Sequence, residues 1–217
     1  MFTKKLDFYT LLFILTSFLS LFFIDSGDVM IEMVIKLLSL ISLSFLYLSR
    51  SKKINYWYLL VLLCSIVSDA FLVFDDAFLI IGTLFLLINR VLYIIIARRA
   101  FFETEHKTLL LYFLPFFAVF AIVFPQLKSY LGELSYTILI MGLLSTIMAL
   151  FAFINYLNKM TIKNKFFFLG MLIITIADIL IAFNKFIDYK LLYVIFYTIL
   201  YYIARYLICK AMIVEKN

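Results

Sequence analysis

The 217-residue sequence has one histidine, two cysteines, two prolines and five glycines, and each shortage removes a class of function. One histidine does not supply the several imidazole ligands of an intramembrane zinc hydrolase. A Ser–His–Asp triad needs its histidine beside the nucleophile, whereas His106 lies in the charged stretch "ETEHK", which reads as a solvated loop. Cys64 and Cys209 both fall in apolar runs without C-x-x-C spacing. They read as small packing groups rather than a disulfide or zinc framework. There is no GxGxxG, GxSxG or P-loop, so no dinucleotide or phosphate-cradle chemistry is indicated. No metal and no organic cofactor is expected. Charged residues are sparse, at 15%.

What the sequence has instead is apolar length. Hydrophobic residues make up 67% of the chain, against about half in a soluble domain, and the mean hydropathy is +1.15. The excess recurs in runs of roughly 20 residues, the length that crosses a bilayer core. Eight spans are predicted, at 8–24, 29–49, 56–74, 77–97, 108–124, 134–157, 165–183 and 189–213. Lys4, Lys5 and the apolar run after them resemble a signal peptide, but no A-x-A-like cleavage site follows, so this run reads as a retained first helix. Short connections favour antiparallel neighbours. The fold class is therefore all-α: one polytopic domain, 1–217, a bundle of eight transmembrane helices.

Charge sets the orientation. With the N-terminus inside, thirteen of nineteen cations fall on the cytoplasmic side, from Lys4 and Lys5 through Arg98 and Arg99 to Lys210 and Lys216. Only Lys128, Lys185 and Lys190 fall outside, with Asp25, Asp28, Asp75, Asp76, Glu133 and Asp188. Both termini are thus expected in the cytoplasm of a multi-pass cell (inner) membrane protein. The same rule explains the net charge of +6 without nucleic acid as a partner.

Two stretches look alike. "SDAFLVFDDAF" and "ADILIAFNKFI" each set Asp five residues before Phe, and the next span carries Thr then Arg seven residues on: Thr83 and Arg90, Thr198 and Arg205. Seven residues is about two turns, so each Thr and Arg share a face. The pattern predicts two four-helix repeats, approximately 1–105 and 106–217, with Asp69 and Asp178 at matched depth and a site where the repeats meet.

Charges inside spans cost about 2.5–3.5 kcal/mol each on insertion scales. Glu32 and Lys36, four apart, can satisfy one another as a helical ion pair or serve function. Asp69 and Asp178 read as helix–helix glue or as a functional pair; glue at about 0.6–2 kcal/mol does not clearly offset burying two carboxylates. Arg90 and Arg205 lie toward the cytoplasmic ends and are expected to snorkel inward. Tyr93, Tyr201 and Tyr202 beside them read as core or interface anchors.

These residues resemble the YhhN family of lysoplasmalogenase-like membrane proteins. Asp69, Gly82 and Tyr93 match its first signature in "SIVSDAFLVFDDAFLIIGTLFLLINRVLY"; Gly170, Asp178, Asn184, Phe186, Tyr201, Tyr202, Ala204 and Leu207 match its second in "LGMLIITIADILIAFNKF" and "YTILYYIARYLI". Lys36 resembles the lysine of a Lys-Pro pair, here followed by Leu37. Ser68 and Ala177 replace a Gly and a Ser before the aspartates, while Arg90 and Arg205 stand where the family has His and Gln. The resemblance implies hydrolysis of the vinyl ether of a lysoplasmalogen to a fatty aldehyde and a glycerophospho-amine. It implies Asp69 and Asp178 as an acid–base pair, with Lys36, Glu32, Tyr93, Asn184, Tyr201, Tyr202, Arg90 and Arg205 around the substrate. The partners would be a lysophospholipid and membrane lipids. Two other classes stay open: a proton-coupled transporter, and a non-catalytic lipid-binding membrane protein.

Overall fold

A computed structural model of the chain describes residues 8–24, 27–74 and 78–214, apart from the side chain of Phe102. Lys4, Lys5, Asp25, Asp75, Asp76 and Lys216, used in the charge pattern, lie outside the described residues. Among those described, eight α-helices follow one another: α1 (Phe8–Phe22), α2 (Val29–Arg50), α3 (Tyr56–Leu72), α4 (Leu79–Ala97), α5 (His106–Lys128), α6 (Ser135–Asn158), α7 (Ile162–Phe186) and α8 (Leu191–Ile213). Short 3-10 turns, Arg98–Glu103 and Gly132–Leu134, precede α5 and α6.

Helix is what apolar runs of this length must form in lipid, where every backbone amide needs a partner within its own segment. Six of the eight are long and apolar enough to cross a membrane. The other two, α1 with 15 residues and α3 with 17, are apolar but shorter. Starts are fixed locally: the Asp28, Asn55 and Thr161 side chains accept hydrogen bonds from the amides of Ile31, Trp57 and Asn164, as N-caps do. Two details differ from the sequence reading. His106 opens α5 instead of lying in a loop, and α5 runs on past the predicted end at 124, through Pro125 to Lys128.

Sequential helices pack as hairpins, most extensively α7 with α8 and α3 with α4. Two glycines permit the close approach. A Cβ on Gly170 would lie 2.5 Å from Cγ1 of Ile208, and one on Gly82 would lie 2.6 Å from Cγ of Leu72. Small residues at such crossings replace the hydrophobic drive that lipid does not supply. The main core gathers Leu43, Tyr47, Tyr58, Val61, Met148, Met171 and Ile208, all nearly or wholly buried. Cys64 and Cys209 sit in that core as free thiols. By contrast α5 buries only Leu127.

Candidate functional site

α3 brings Asp69 and α7 brings Asp178 to one polar cavity of about 480 Å³. α3 ends three residues beyond Asp69, at Leu72, while α7 runs eight residues beyond Asp178, to Phe186. Along their own helices the two aspartates are therefore not placed alike, because α7 is longer than its apolar run suggests. Lys36, Asn184, Tyr201, Tyr202 and Arg205 line the same cavity, with Thr83 and Thr198.

Each carboxylate is held first by an arginine. Arg205 on α8 forks onto Asp69, with Nη1 2.7 Å from Oδ2 and Nη2 2.7 Å from Oδ1. Arg90 on α4 reaches Asp178 through Nη2 alone, 2.8 Å from Oδ1 and 2.6 Å from Oδ2. The pairing is crosswise: the arginine of the α3–α4 hairpin serves the aspartate of α7, and the arginine of α8 serves that of α3. Neither arginine snorkels to a helix end. Both side chains are buried, at 1% and 8% exposure. The reason is energetic: a carboxylate left alone in this interior costs more than a fixed guanidinium brought to it.

Further groups complete the coordination. The Tyr201 hydroxyl donates to Asp178 Oδ1, and the Ser145 hydroxyl donates to Oδ2 at 3.4 Å. The Arg205 guanidinium lies 5.2 Å from the Tyr201 ring centroid, within cation–π range. Tyr202 shares a 2.7 Å hydrogen bond with the Ser20 hydroxyl of α1. Lys36 is ion-paired with Glu32 one turn away, as their spacing predicts. Arg90 Nε is the exception, buried without a partner among the described residues.

Three expected site residues do not line the cavity. Glu32 acts on it only through Lys36, Arg90 lies behind Asp178, and Tyr93 packs edge-on against Phe167 in the main core. Asn184 does line it, but its side-chain oxygen is engaged by the Lys190 amide at 2.7 Å, which secures the turn into α8. Ser145 and Ser20 were not foreseen. Each is a hydroxyl in an apolar run, where serine usually bonds its own helix and gives no separate signal. No group of three or more His, Cys, Asp or Glu side chains that could hold a metal ion occurs among the described residues.

The model of one protein family, YhhN, matches residues 31–212, most of the chain. The chain belongs to the YhhN family. Its match takes in nearly all of α2 to α8 and every cavity-lining residue named above; Ser20 on α1, the partner of Tyr202, lies outside it. No curated protein and no solved structure matches this YhhN chain.

Proposed function

We propose that this YhhN-family membrane protein hydrolyses the vinyl ether bond of lysoplasmalogens. One observation carries the reading: two carboxyl groups from distant helices face a single cavity that also presents Lys36, Arg205 and two tyrosines. Vinyl ether hydrolysis needs a proton donor and a second group that handles water and the cationic intermediate. Glycosidases meet an oxocarbenium ion with the same pair of groups.

The steps balance without a further reagent. One aspartic acid gives its proton to the chain carbon one removed from the ether oxygen, and the double-bond electrons leave an oxocarbenium ion. Water adds to the carbon bearing oxygen as the other aspartate takes its proton. The hemiacetal then collapses, releasing a fatty aldehyde and the glycerol hydroxyl. The charged groups Glu32, Lys36, Asp69, Arg90, Asp178 and Arg205 sum to zero when all are ionised. Arginine and lysine differ here: the fork of Arg205 is committed to Asp69, while Lys36 is a point charge with rotatable donors that suits a phosphate.

The reading extends to architecture. Two repeats, 1–105 and 106–217, are supported by the packing: α7 lies along α8 as α3 lies along α4, and the contact of α2 with α8 has its counterpart in α6 with α4. Cytoplasmic termini in a multi-pass cell membrane protein follow from the charge pattern.

The test is mass spectrometry of purified protein incubated with 1-alkenyl, 1-alkyl and 1-acyl lysophospholipids. Aldehyde is expected from the alkenyl form alone and is lost in Asp69→Asn and Asp178→Asn. No product from any lipid, with folded protein, overturns the reading. One observation favours a second reading: crosswise ion pairs joining two hairpins also suit a proton-coupled carrier. Lipid flux driven by a pH gradient in liposomes, without product, would establish that instead.

A further inference from the structure

A second cavity of about 520 Å³ lies between α5, α6 and α7. Its wall includes Pro115, Phe120, Ala149, Phe153, Leu172 and Ile176. Two of its few polar residues are turned away from it. The Thr146 hydroxyl donates to the Gly142 carbonyl at 2.9 Å, and that of Thr175 to the Met171 carbonyl at 3.0 Å. Each spends its hydroxyl on its own helix. What remains is an aliphatic and aromatic slot.

The slot meets the polar cavity. Ile138, Met141, Asp178 and Ala182 belong to both, whereas Asp69 belongs to the polar cavity alone. Ser145, which donates to Asp178, faces the slot. From Met141 to Phe153 the slot follows α6 for twelve residues, roughly 18 Å at 1.5 Å per residue. It also opens sideways: Val119 on α5 and Ile176 on α7 border it at 49% and 44% exposure. The combination is polar at one end, apolar and elongated at the other, with a carboxyl group at the seam.

We infer that the slot holds the aliphatic chain of a single-chain phospholipid whose head group occupies the polar cavity, so that the bond joining chain to glycerol lies at the seam, against Asp178. The occupant is amphiphilic because neither cavity alone matches it. Its head is zwitterionic, as a phosphate ester of an amine is, because the polar end presents both signs, Lys36 and Arg205 with Asp69 and Asp178, and its chain is one because one slot joins that end at Asp178. The identity of the reaction rests on the hydrolase reading; the seating of the lipid does not.

The test therefore uses a lipid that no vinyl ether hydrolase can cleave. A saturated 1-O-alkyl lysophospholipid carrying a diazirine at the chain terminus is photolysed with the full-length protein in nanodiscs, and labelled peptides are sequenced. Label is expected at the Pro115–Phe153 end of the slot, displaced by unlabelled lysophospholipid and not by diacyl phospholipid. A second probe, with the diazirine beside the ether oxygen, is expected to label Met141, Ser145 or Asp178. Val123→Trp, which fills the slot near the seam, is expected to cut specific labelling by about tenfold, as overpacking does. Val119→Trp, at the lipid-facing edge, adds the same bulk where folding is least at risk and is expected to reduce labelling too.

Label spread over lipid-facing surfaces, displacement by diacyl lipid, or label from the second probe at Leu72 or Val73 beside Asp69 would overturn the seating. Specific labelling without hydrolysis of the alkenyl lipid would leave the seating standing and remove the hydrolase. Hydrolysis with labelling outside the slot would do the reverse.

Discussion

Arg90 meets Asp178 through one nitrogen: Nη2 lies 2.8 Å from one carboxylate oxygen and 2.6 Å from the other, while Nε of the same guanidinium is buried without a partner among the described residues. The Arg205–Asp69 pair is instead a two-nitrogen fork. The two pairs are not equivalent, and the difference can be measured.

Removing Arg90 leaves a buried carboxylate uncompensated. Arg90→Leu is expected to cost about 3–5 kcal/mol, whereas the double change Arg90→Leu with Asp178→Leu recovers most of it, since apolar replacement of a whole buried pair is often neutral or better. Unfolding of the three proteins in mixed micelles, read as a double-mutant cycle, checks this. A double variant as unstable as the single one would contradict it.

Arg205→Lys keeps the charge but loses the fork, while Arg90→Lys replaces a guanidinium that already uses a single nitrogen on Asp178. If geometry matters at the fork, Arg205→Lys lowers affinity for a lysophospholipid by more than Arg90→Lys does. Isothermal titration with a 1-O-alkyl lysophospholipid compares them.

Asp69→Asn and Asp178→Asn are each expected to lower alkenyl lysophospholipid hydrolysis by about 10²–10⁴-fold, the range that general acid–base groups contribute. Circular dichroism and gel-filtration profiles at low temperature should still show folded protein, although Asp178→Asn leaves Arg90 without its counter-charge and is expected to lower thermal stability. Full turnover in either variant would remove that residue from the chemistry.

Tyr201 and Tyr202 are neighbours with different partners. Tyr201→Phe removes a donor to a carboxylate and is expected to cost about 1.5–3 kcal/mol. Tyr202→Phe removes a neutral hydroxyl pair with Ser20 and is expected to cost about 0.6 kcal/mol, typical of such bonds between membrane helices. Thermal unfolding ranks the two.

Gly170→Ala drives a methyl to 2.5 Å from Ile208 and 3.1 Å from the Ala204 carbonyl oxygen, where backbone must move. Gly142→Ala meets only the edge of the Phe120 ring, at 2.6 Å, on the lightly buried α5. The first is expected to cost about 1–3 kcal/mol and the second less, by the same unfolding assay.

The helices were legible in the sequence because apolar length is a strong signal, and Asp69 and Asp178 because a carboxylate inside such a run needs a reason. The partners of those carboxylates were not legible. Position along a helix placed Arg90 and Arg205 toward its cytoplasmic end, where snorkelling was the simple expectation. Position says nothing of which helix stands opposite, and the partners lie 88 and 136 residues away in the chain. The short α1 and α3 and the long α5 were misjudged at their ends for a related reason. Helix ends depend on turns and caps, such as the Asn184 contact with Lys190, rather than on hydropathy.

The crosswise pairing has a consequence for synthesis. When α3 and α4 leave the ribosome, Asp69 and Arg90 have no counter-charges, because these arrive only with α8 and α7. For the making of some hundred further residues these two charges lack the partners they hold in the finished fold. The closing of the charge circuit is then a late event in assembly, and a chain that stops before α7 remains electrically incomplete, an object for quality control to recognise.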